Sequence, residues 1–331
     1  VTGGAGFIGS HVAEHLTKCG KKVIVLDDLS GGCRENVPND AKFIEGSILD
    51  VSLIEEVFQR FEIDFIYHLA AYAAEGLSHF IRSFNYANNL VGSANLINAA
   101  INHNCQCFVF TSSIAVYGTN QLPMTEDVTP SPEDPYGVAK YAVELDLKAA
   151  QSMYGLNYII FRPHNVYGER QNLADPYRNV LGIFIRQIAE ERELTIFGDG
   201  EQTRAFTYVD DVAPIIADSV TYDVAYNQVF NIGSEDARSV NNLASLISKV
   251  MGKNPKIKYL SERHEVKHAY SGHQKLEKVL NYHPKWSLEE GVDRMVAWAR
   301  AQAHKPSRPF AKIEVLRNMP ESWGEMLKEF Q

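Results

Sequence analysis

Three polar residues that lie far apart in this sequence could together move a proton to or from an alcohol. Tyr136 and Lys140 are four positions apart, so on a helix they share one face. A free tyrosine has a pKa of about 10 and is a poor base at neutral pH, but a nearby ammonium group favours its phenolate. Ser113 ends a predicted strand and can hydrogen-bond to the reacting oxygen. The set predicts acid–base chemistry at a carbinol carbon; the alternative is a packing tyrosine, a solvated lysine and a strand-end serine.

The chain opens with a glycine-rich segment, VTGGAGFIGS, that is typical of dinucleotide binding. Gly3, Gly6 and Gly9 suit a turn in which backbone approaches a pyrophosphate closely, and the following helix points free N–H groups at the phosphates. Asp27 ends the next predicted strand, where a carboxylate can accept both ribose hydroxyls and would repel a 2′-phosphate. Asp28 strengthens this preference. The segment predicts NAD rather than NADP, although a glycine turn can also simply join a strand to a helix. The positive nicotinamide of NAD⁺ would act with Lys140 to favour the phenolate of Tyr136.

Short β-branched runs alternate with helical stretches through the first half of the chain. This alternation predicts an α/β fold, a Rossmann-type doubly wound parallel sheet with a smaller C-terminal α/β substrate lobe. Asp134 and Pro135 suit the start of the helix that carries Tyr136. The predicted strands are 23–27, 42–46, 64–71, 107–113 and 157–163, and the predicted helices lie near 7–19, 51–61, 83–102 and 135–153.

After residue 163 the pattern loosens and later returns to sheet-like runs, so the domains are predicted to be discontinuous. Val1 lies where a strand should already be running, and we expect a few further residues upstream of this numbering. The predicted units are an NAD-binding domain of 1–163 plus about 207–232, a ligand-binding lobe of 164–206 plus about 233–300, and a tail or short docking helix of 301–331.

Composition excludes several classes of protein. The 331 residues carry a net charge of −9, which argues against general binding to nucleic acid or to an anionic membrane. The sequence contains no apolar run long enough to span a bilayer, and its opening resembles neither a signal nor a transit peptide. Four cysteines form no disulfide framework in a chain of this length. We therefore expect a reduced, cytoplasmic protein.

Over nearly residues 1–295, the chain resembles the extended short-chain dehydrogenases/reductases that act on nucleotide sugars, the NAD-dependent epimerase/dehydratase family. It is most similar to the UDP-glucose 4-epimerase branch. The resemblance implies NAD held through turnover and a C-terminal lobe that binds a UDP-sugar. It rests on VTGGAGFIGS, HLAA (68–71), NLVGSANLINAA (89–100), TSSIAVYG (111–118), PYGVAKYAVE (135–144), FRPHNVYGERQ (161–171) and FGDGEQTRAFTYVDDV (197–212).

The resemblance also implies which residues form the site. Catalysis would fall to Ser113, Tyr136 and Lys140. Cofactor contacts would come from Gly3, Gly6, Phe7, Ile8, Gly9, Asp27, Ser30, Ser47, Ile48, Leu69, Ala70, Ala71, Asn89, Thr111, Tyr136, Lys140 and Pro163. Substrate contacts would come from Ser113, His164, Asn165, Asn179, Thr195, Phe197, Arg204 and Arg263. The two arginines would pair with phosphate oxygens, because a guanidinium group binds them in a bidentate manner.

The chain departs from the family pattern at several points near the substrate. Ser47 stands where an acid usually contacts adenine, Ala205 follows Arg204 in place of an acid, and His164 replaces a common aromatic or apolar residue. The loop of residues 72–83, which borders the sugar pocket in the family, is atypical. These departures leave the identity of the sugar open.

The residues after Ser113 favour one reaction among those of the family. All members with this triad begin by oxidising the sugar at C4, and dehydratases and decarboxylases then need a further acid at this point. Ile114 and Ala115 cannot transfer a proton, so elimination and decarboxylation are disfavoured. We expect a UDP-glucose/UDP-galactose 4-epimerase that works through a 4-keto sugar. UDP-glucuronate or UDP-N-acetylglucosamine 4-epimerases are alternatives; a nucleotide-sugar dehydratase or decarboxylase and a non-catalytic NAD sensor are less favoured.

Further expectations concern charges, metals and assembly. Glu75 and Arg82 could touch the sugar, although solvated charges are the simpler interpretation, and Arg82 or Arg170 reaching C6 would favour a uronate. No His/Cys/Asp cluster has metal-ligand spacing, so no metal is expected. The helices near 89–102 and 138–151 are apolar around much of their circumference, which predicts a homodimer.

Overall fold

The computed structural model describes residues 1–262, 266–302, 310 and 312–329. A π-helical turn, Ala87–Val91, joins the helices Arg82–Tyr86 and Gly92–Asn102, and a 3-10 turn, Ile114–Tyr117, follows the strand Cys107–Thr111. The strands are β1 (Ile24–Asp27), β2 (Lys42–Glu45), β3 (Phe65–His68), β4 (Cys107–Thr111), β5 (Asn157–Pro163), β6 (Val166–Tyr167), β7 (Leu194–Phe197), β8 (Thr203–Ala205), β9 (Thr207–Tyr208), β10 (Gln228–Ile232), β11 (Ala237–Ser239), β12 (Ile257–Leu260) and β13 (His268–Ala269). The helices are α1 (Phe7–Lys18), α2 (Val51–Arg60), α3 (Glu75–Ser78), α4 (Arg82–Tyr86), α5 (Gly92–Asn102), α6 (Pro135–Tyr154), α7 (Val180–Ala189), α8 (Val209–Asp218), α9 (Val240–Met251), α10 (Gln274–Leu280), α11 (Leu288–Arg300) and α12 (Glu321–Glu329).

A single parallel sheet organises the fold, in the order β2, β1, Thr2, β3, β4, β5 and β10. Thr2 bridges Leu26 and His68 on its two neighbours, and its N–H donates to the carbonyl of Tyr67 at 2.9 Å. Strands are added outward in both directions from this point, which is where such sheets bind ligands. The Rossmann-type parallel sheet expected from the sequence is confirmed.

Helices cover both faces of the sheet because successive strand residues point to opposite sides. β4 shows this most clearly: Cys107 and Val109 enter one apolar core, and Phe108 and Phe110 enter the other. Helices α1 and α8 pack together on the first side, whereas α2, α5 and α6 cover the second. The two apolar cores therefore hold the sheet from both faces and fix the positions of its strands.

A smaller α/β portion follows β5. There β8 lies between antiparallel β11 and parallel β13, while β7 pairs with β12 and β6 pairs with β9. Helices α7 and α9 pack together, and their apolar faces join the core on the α1 side of the large sheet. The chain returns to the large sheet at β10. The domain limits given by the sequence remain predictions.

The helix predicted over 83–102 is interrupted. It is made of α4, the π-helical turn and α5. The wider turn carries Asn89, whose side-chain amide accepts from the N–H of Tyr72 at 2.9 Å and donates to its carbonyl at 3.1 Å. The interruption coincides with a contact to a distant loop, and hydrophobic periodicity reveals neither.

The helices and cysteines bear on the class of protein expected from composition. Within residues 1–262, 266–302 and 312–329, no helix combines the length and apolarity needed to cross a membrane. All four cysteines are free thiols.

Candidate active site

A cavity of about 1970 Å³ lies at the carboxyl ends of the parallel strands. Gly3, Asp27, Leu69, Thr111 and Pro163, which end or follow five neighbouring strands, all line it. Its volume exceeds the roughly 300–1,000 Å³ of a single small-molecule site, so it can hold a dinucleotide and a second ligand together.

The glycine turn brings backbone N–H groups to one end of this cavity. Gly3 has a φ of +69°, and a Cβ there would lie 2.6 Å from the backbone nitrogen of Ala70. A Cβ at Gly9 would lie 2.1 Å from the carbonyl oxygen of Gly3. Gly6 is the N-cap of α1, no described side chain caps it, and the first turn carries no acid. The free N–H groups and positive end of α1 are therefore suited to a phosphate.

The carboxylate of Asp27 lies beside this turn and is nearly buried. Its two oxygens accept from the N–H groups of Ala5 and Leu29, each at 2.9 Å. Each oxygen keeps a lone pair, which suits the ribose hydroxyls of a dinucleotide. Burial raises the pKa of Asp27, and the two backbone donors oppose that rise.

Helix α6 positions the predicted catalytic pair. The Asp134 side chain accepts from the N–H of Gly137 at 2.9 Å and so caps the helix, and Pro135 occupies its first turn. Tyr136 and Lys140 follow one turn apart, and both are buried and line the cavity. The predicted start of this helix agrees with the structure.

The ammonium group of Lys140 is anchored on β4. Its Nζ donates to the carbonyl of Thr111 at 2.9 Å and lies 4.7 Å from the ring centroid of Phe110. Burial lowers the pKa of Lys140 to about 7, against the opposing charge of Glu144. Thr111 Oγ1 is buried on the cavity wall without a hydrogen-bond partner among the described residues. An orphaned hydroxyl of this kind fits a bound ligand, and with the glycine turn and Asp27 it fits a dinucleotide.

Tyr136 is less acidic in the protein than the sequence suggests. Burial raises its pKa, and the charges of Glu75 and Asp134 act in the same direction. A hydrogen bond with Ser113 and the positive charge of Arg178 oppose the rise. Among the protein groups, desolvation of the phenol outweighs the interactions that favour the phenolate, so the phenolate expected from Lys140 together with a positive nicotinamide depends on the bound cofactor.

Predicted cofactor residues converge on the cavity with two exceptions. Ser47 and Asn89 do not line it. The hydroxyl of Ser47 accepts from the N–H of Leu49 at 3.2 Å in a local turn, and the amide of Asn89 is occupied by Tyr72. The cofactor residues that line the cavity are Gly3, Gly6, Phe7, Ile8, Gly9, Asp27, Ser30, Ile48, Leu69, Ala70, Ala71, Thr111, Tyr136, Lys140 and Pro163.

Seven predicted substrate residues also line the cavity, while Arg263 lies outside the described residues. Arg204 donates to the carbonyls of Thr203 and Lys267, each at 2.9 Å, and to that of Val266 at 2.5 Å. This guanidinium group is therefore held by backbone in the present arrangement. The seven are Ser113, His164, Asn165, Asn179, Thr195, Phe197 and Arg204.

His164 forms a buried pair that the sequence gave no reason to expect. Its Nε2 lies 3.2 Å from Nε2 of His273, and the two rings are stacked. Its Nδ1 lies 3.3 Å from the carbonyl oxygen of Ala205, so Nδ1 carries the proton in the neutral ring. Burial lowers the pKa of His164 to about 4 and that of His273 to about 3. Both imidazoles are therefore neutral at physiological pH.

Sequence reasoning missed Arg178 on the cavity wall. Its Nε donates to Asp175 at 2.7 Å, and its guanidinium carbon lies 4.7 Å above the ring of Tyr72. Glu75 lines the same cavity, whereas Arg82 is exposed and outside the lining. Arg170 is also outside and pairs with Glu14 at 2.9 Å. No spacing in the sequence could have linked Arg178 to Tyr136, because about forty residues and several elements separate them.

A buried ion pair supports α6 from behind the site. Glu144, one turn after Lys140, accepts from Arg162 Nε at 2.9 Å and from Ser112 at 2.6 Å. Arg162 also donates to the hydroxyl of Tyr117 at 2.6 Å. None of these four side chains was predicted to be part of the site. Their hydrogen bonds tie α6 to β5 and to the turn that follows Ser113. Of the four, Ser112 also lines the cavity.

One group of potential metal ligands occurs in the part of the chain that the structure describes. The ligand atoms of His15, Cys19 and Asp218 lie within 4.8 Å of one another, at the ends of α1 and α8 and away from the cavity. The 2.9 Å separation of His15 Nε2 and Asp218 Oδ1 is that of a hydrogen bond. Spacing along the chain could not reveal this grouping, since Asp218 comes from a distant helix.

The fold and site define a dinucleotide-dependent enzyme class with a Rossmann sheet and a tyrosine–lysine pair. The model of the NAD-dependent epimerase/dehydratase family matches residues 1–233. The chain belongs to that family, and NAD is its cofactor.

Individual relatives agree with the family assignment. A putative UDP-glucose 4-epimerase of Methanocaldococcus jannaschii is 36% identical over 303 residues, covering 91% of this chain and 97% of the relative. UDP-glucose 4-epimerase of Thermotoga maritima, solved with UDP-glucose, has a TM-score of 0.87 and 37% identity over 90% of this chain and 97% of its own. UDP-N-acetylglucosamine 4-epimerase of Methanobrevibacter ruminantium, solved with UDP-N-acetylmuramic acid, has a TM-score of 0.85 and 34% identity over 91% and 97%. Similarity therefore indicates a nucleotide-sugar epimerase without choosing the sugar.

Proposed function

We propose that the protein is an NAD-dependent UDP-sugar 4-epimerase of the UDP-glucose/UDP-galactose type. The observation that carries this proposal is one cavity that contains the glycine turn, Ser113, Tyr136 and Lys140 together. Bound NAD⁺ would supply the hydride acceptor at C4 of the sugar and return the hydride, so that no cofactor is consumed. The groups that would hold NAD⁺ are the glycine turn, Asp27 and Thr111.

Tyr136 would take the proton of the sugar 4-hydroxyl and return it. Ser113 lines the same cavity and acts on the phenol by lowering its pKa, so both hydroxyl groups can contact the same sugar oxygen. Lys140 has a pKa of about 7 because it is buried, so it exchanges a proton readily near neutral pH. The hydrogen bond from its Nζ to the carbonyl of Thr111 holds the ammonium group near the Tyr136 ring.

The residues after Ser113 support epimerisation over elimination. Ile114 and Ala115 begin the 3-10 turn and line the cavity, and neither side chain can transfer a proton. A 4-keto sugar in this pocket has no partner at these positions for loss of the C6 hydroxyl or of carbon dioxide. Rotation of the ketone and reduction on its other face is the route that remains.

The charges beside Tyr136 favour a neutral hexose over a uronate. Glu75 is near enough to raise the pKa of Tyr136, and a substrate carboxylate near it would be repelled. Arg178 could attract a uronate, but its guanidinium group is already paired with Asp175. UDP-glucuronate is therefore less favoured than the neutral UDP-hexoses, of which UDP-N-acetylglucosamine is the alternative to UDP-glucose.

A homodimer is part of the proposal. On α6, Val143 is buried toward the sheet, while Val138 and Leu145 are 40% and 48% exposed on another face. Val91, at the start of α5, is 50% exposed. These apolar side chains on neighbouring helices suit a two-fold contact between copies of the chain.

Incubation with single UDP-sugars tests the function. UDP-glucose, UDP-N-acetylglucosamine and UDP-glucuronate are supplied separately, and the configuration at C4 is followed by proton NMR. We expect inversion at C4 of UDP-glucose with the C6 hydroxyl retained. Loss of that hydroxyl, or release of carbon dioxide from UDP-glucuronate, would refute the epimerase proposal.

A further inference from the structure

The C-terminal segment, defined as residues 310 and 312–329, is hydrogen-bonded to the loop of residues 72–84. This loop includes the short helix α3 and the start of α4. The N–H groups of Glu314 and Val315 donate to the carbonyl of Phe80 at 2.8 and 3.2 Å. The carboxylate of Glu314 accepts from the N–H groups of Ser83 and Phe84 at 2.7 and 2.9 Å, at the start of α4. A carboxylate at a helix N-terminus is favourable because it satisfies free donors there.

Aromatic packing reinforces this contact. Trp323 of α12 is 6% exposed and meets Phe80 and Tyr177 edge to face, with ring centroids 6.0 and 5.1 Å away. Phe310 packs against Phe84 at 4.8 Å and Tyr72 at 5.2 Å. The segment thus joins the loop to the stretch before α7 in one apolar cluster.

The same segment forms a wall of the cavity that contains Tyr136. Pro320, Trp323 and Met326 line it together with Glu75 and Gly76 of the loop. A Cβ at Gly76 would lie 3.6 Å from the Trp323 ring, so the indole lies against the backbone next to Glu75. The indole therefore supports the residue whose charge acts on the catalytic phenol.

We infer that the C-terminal segment completes the wall of the part of the cavity that would hold the sugar. In this arrangement Trp323 is a positioning residue that fixes the loop of residues 72–84 beside Tyr136. This inference rests on the proposed function for the identity of the ligand. The indole sets how much space a hexose and its substituents have between loop and phenol. Substrates with a larger group on the ring are then excluded by size.

Trp323→Ala in the 331-residue, NAD-loaded protein tests this role. We expect the KM for UDP-glucose to rise about ten-fold with a smaller change in kcat, because ordering of the sugar is lost while the reacting groups stay. The kcat/KM ratio of UDP-N-acetylglucosamine to UDP-glucose should rise, since space opens beside the loop. Trp323→Phe keeps an aromatic ring, so its KM should lie close to the wild-type value. Leu316→Ala is the matched control, because Leu316 belongs to the same segment, is 68% exposed and is not part of the cavity wall.

A second measurement does not depend on turnover. The bound cofactor is reduced chemically, and acrylamide quenching of its fluorescence is compared among the variants. Quenching should be stronger in Trp323→Ala than in wild type or Leu316→Ala. Glu314→Gln, which weakens the bonds to Ser83 and Phe84, should act in the same direction and replaces Trp323→Ala if that variant does not fold.

The outcomes separate the two proposals. If the wild type converts no UDP-sugar, the proposed function fails and quenching alone decides whether the segment encloses the site. If KM, the substrate ratio and quenching in both Trp323→Ala and Glu314→Gln equal those of Leu316→Ala, the segment has no such role and the inference is overturned.

Discussion

The ammonium nitrogen of Lys140 lies 5.9 Å from the ring centroid of Tyr136, one helical turn further along α6. Its hydrogen bond to the carbonyl of Thr111 keeps it on the sheet side of the phenol. Burial opposes the charged form of both groups, raising the pKa of the tyrosine and lowering that of the lysine. In the proposed reaction, the phenolate would therefore need additional positive charge, which an oxidised nicotinamide would supply.

Replacing Tyr136 with Phe should abolish turnover and leave the cofactor in place. The phenol oxygen is the proton carrier in the proposed reaction, so we expect a loss on the order of 10³-fold or more in kcat. Bound NAD is measured by absorbance after denaturation of the purified protein. Tyr154→Phe is a matched control, because Tyr154 ends the same helix and is 63% exposed. Activity of Tyr136→Phe close to that of the control would eliminate this residue as the base.

Two substitutions beside the phenol should move the pH profile in opposite directions. The charge of Glu75 raises the pKa of Tyr136 and that of Arg178 lowers it, on top of the larger effect of burial. Glu75→Gln should therefore shift the ascending limb of kcat/KM to lower pH, and Arg178→Gln should shift it to higher pH. The measurement is the pH dependence of kcat/KM for UDP-glucose.

Arg82→Gln provides the control for this pair, because Arg82 is exposed and outside the cavity lining. Its profile should coincide with that of the wild type. Shifts of the same sign for Glu75→Gln and Arg178→Gln would show that charge at these positions does not control the phenol.

Much of the scaffold could be read from local sequence. Glycine spacing predicted the turn before α1, and the apolar runs predicted five strands of the sheet. The turn and the strands could be predicted because both depend on residues that are neighbours in the chain. Asp134 and Pro135 likewise marked the start of α6. Residues chosen by resemblance, such as Thr111 and Pro163, also reach the cavity.

The rest depended on contacts between distant segments. Arg178 approaches Tyr136 only because the stretch before α7 folds over the sheet, and Trp323 reaches the loop of residues 72–84 from the far end of the chain. The sequence also carries no sign that burial raises the pKa of Tyr136 in the protein without its cofactor, since burial cannot be judged from a motif. Neither hydrophobic period nor motif spacing contains this information.

The exposed apolar face of α6 predicts the oligomeric state. Val138 and Leu145 are seven residues apart and thus lie on the same side of the helix. Wild type should be a dimer by size-exclusion chromatography with light scattering, and Leu145→Glu should be largely monomeric, because a carboxylate would be buried in the contact. Leu316→Glu, at a residue that is 68% exposed outside this face, should remain dimeric. A monomeric wild type at micromolar concentration would contradict the prediction.

The buried pair His164 and His273 predicts sensitivity to acid. The pKa of His164 is about 4 in the folded protein because of burial, below the roughly 6.5 of an exposed histidine. The unfolded chain therefore binds more protons between these values, so the free energy of unfolding falls as the pH drops through that window. From pH 7 to pH 5, one such histidine removes about 2 kcal/mol of stability. Urea unfolding at the two pH values should show a smaller loss for His164→Asn than for wild type. His283→Asn, at an exposed histidine, is the control substitution. Equal losses in wild type and His164→Asn would mean that the pair is not buried in the neutral form.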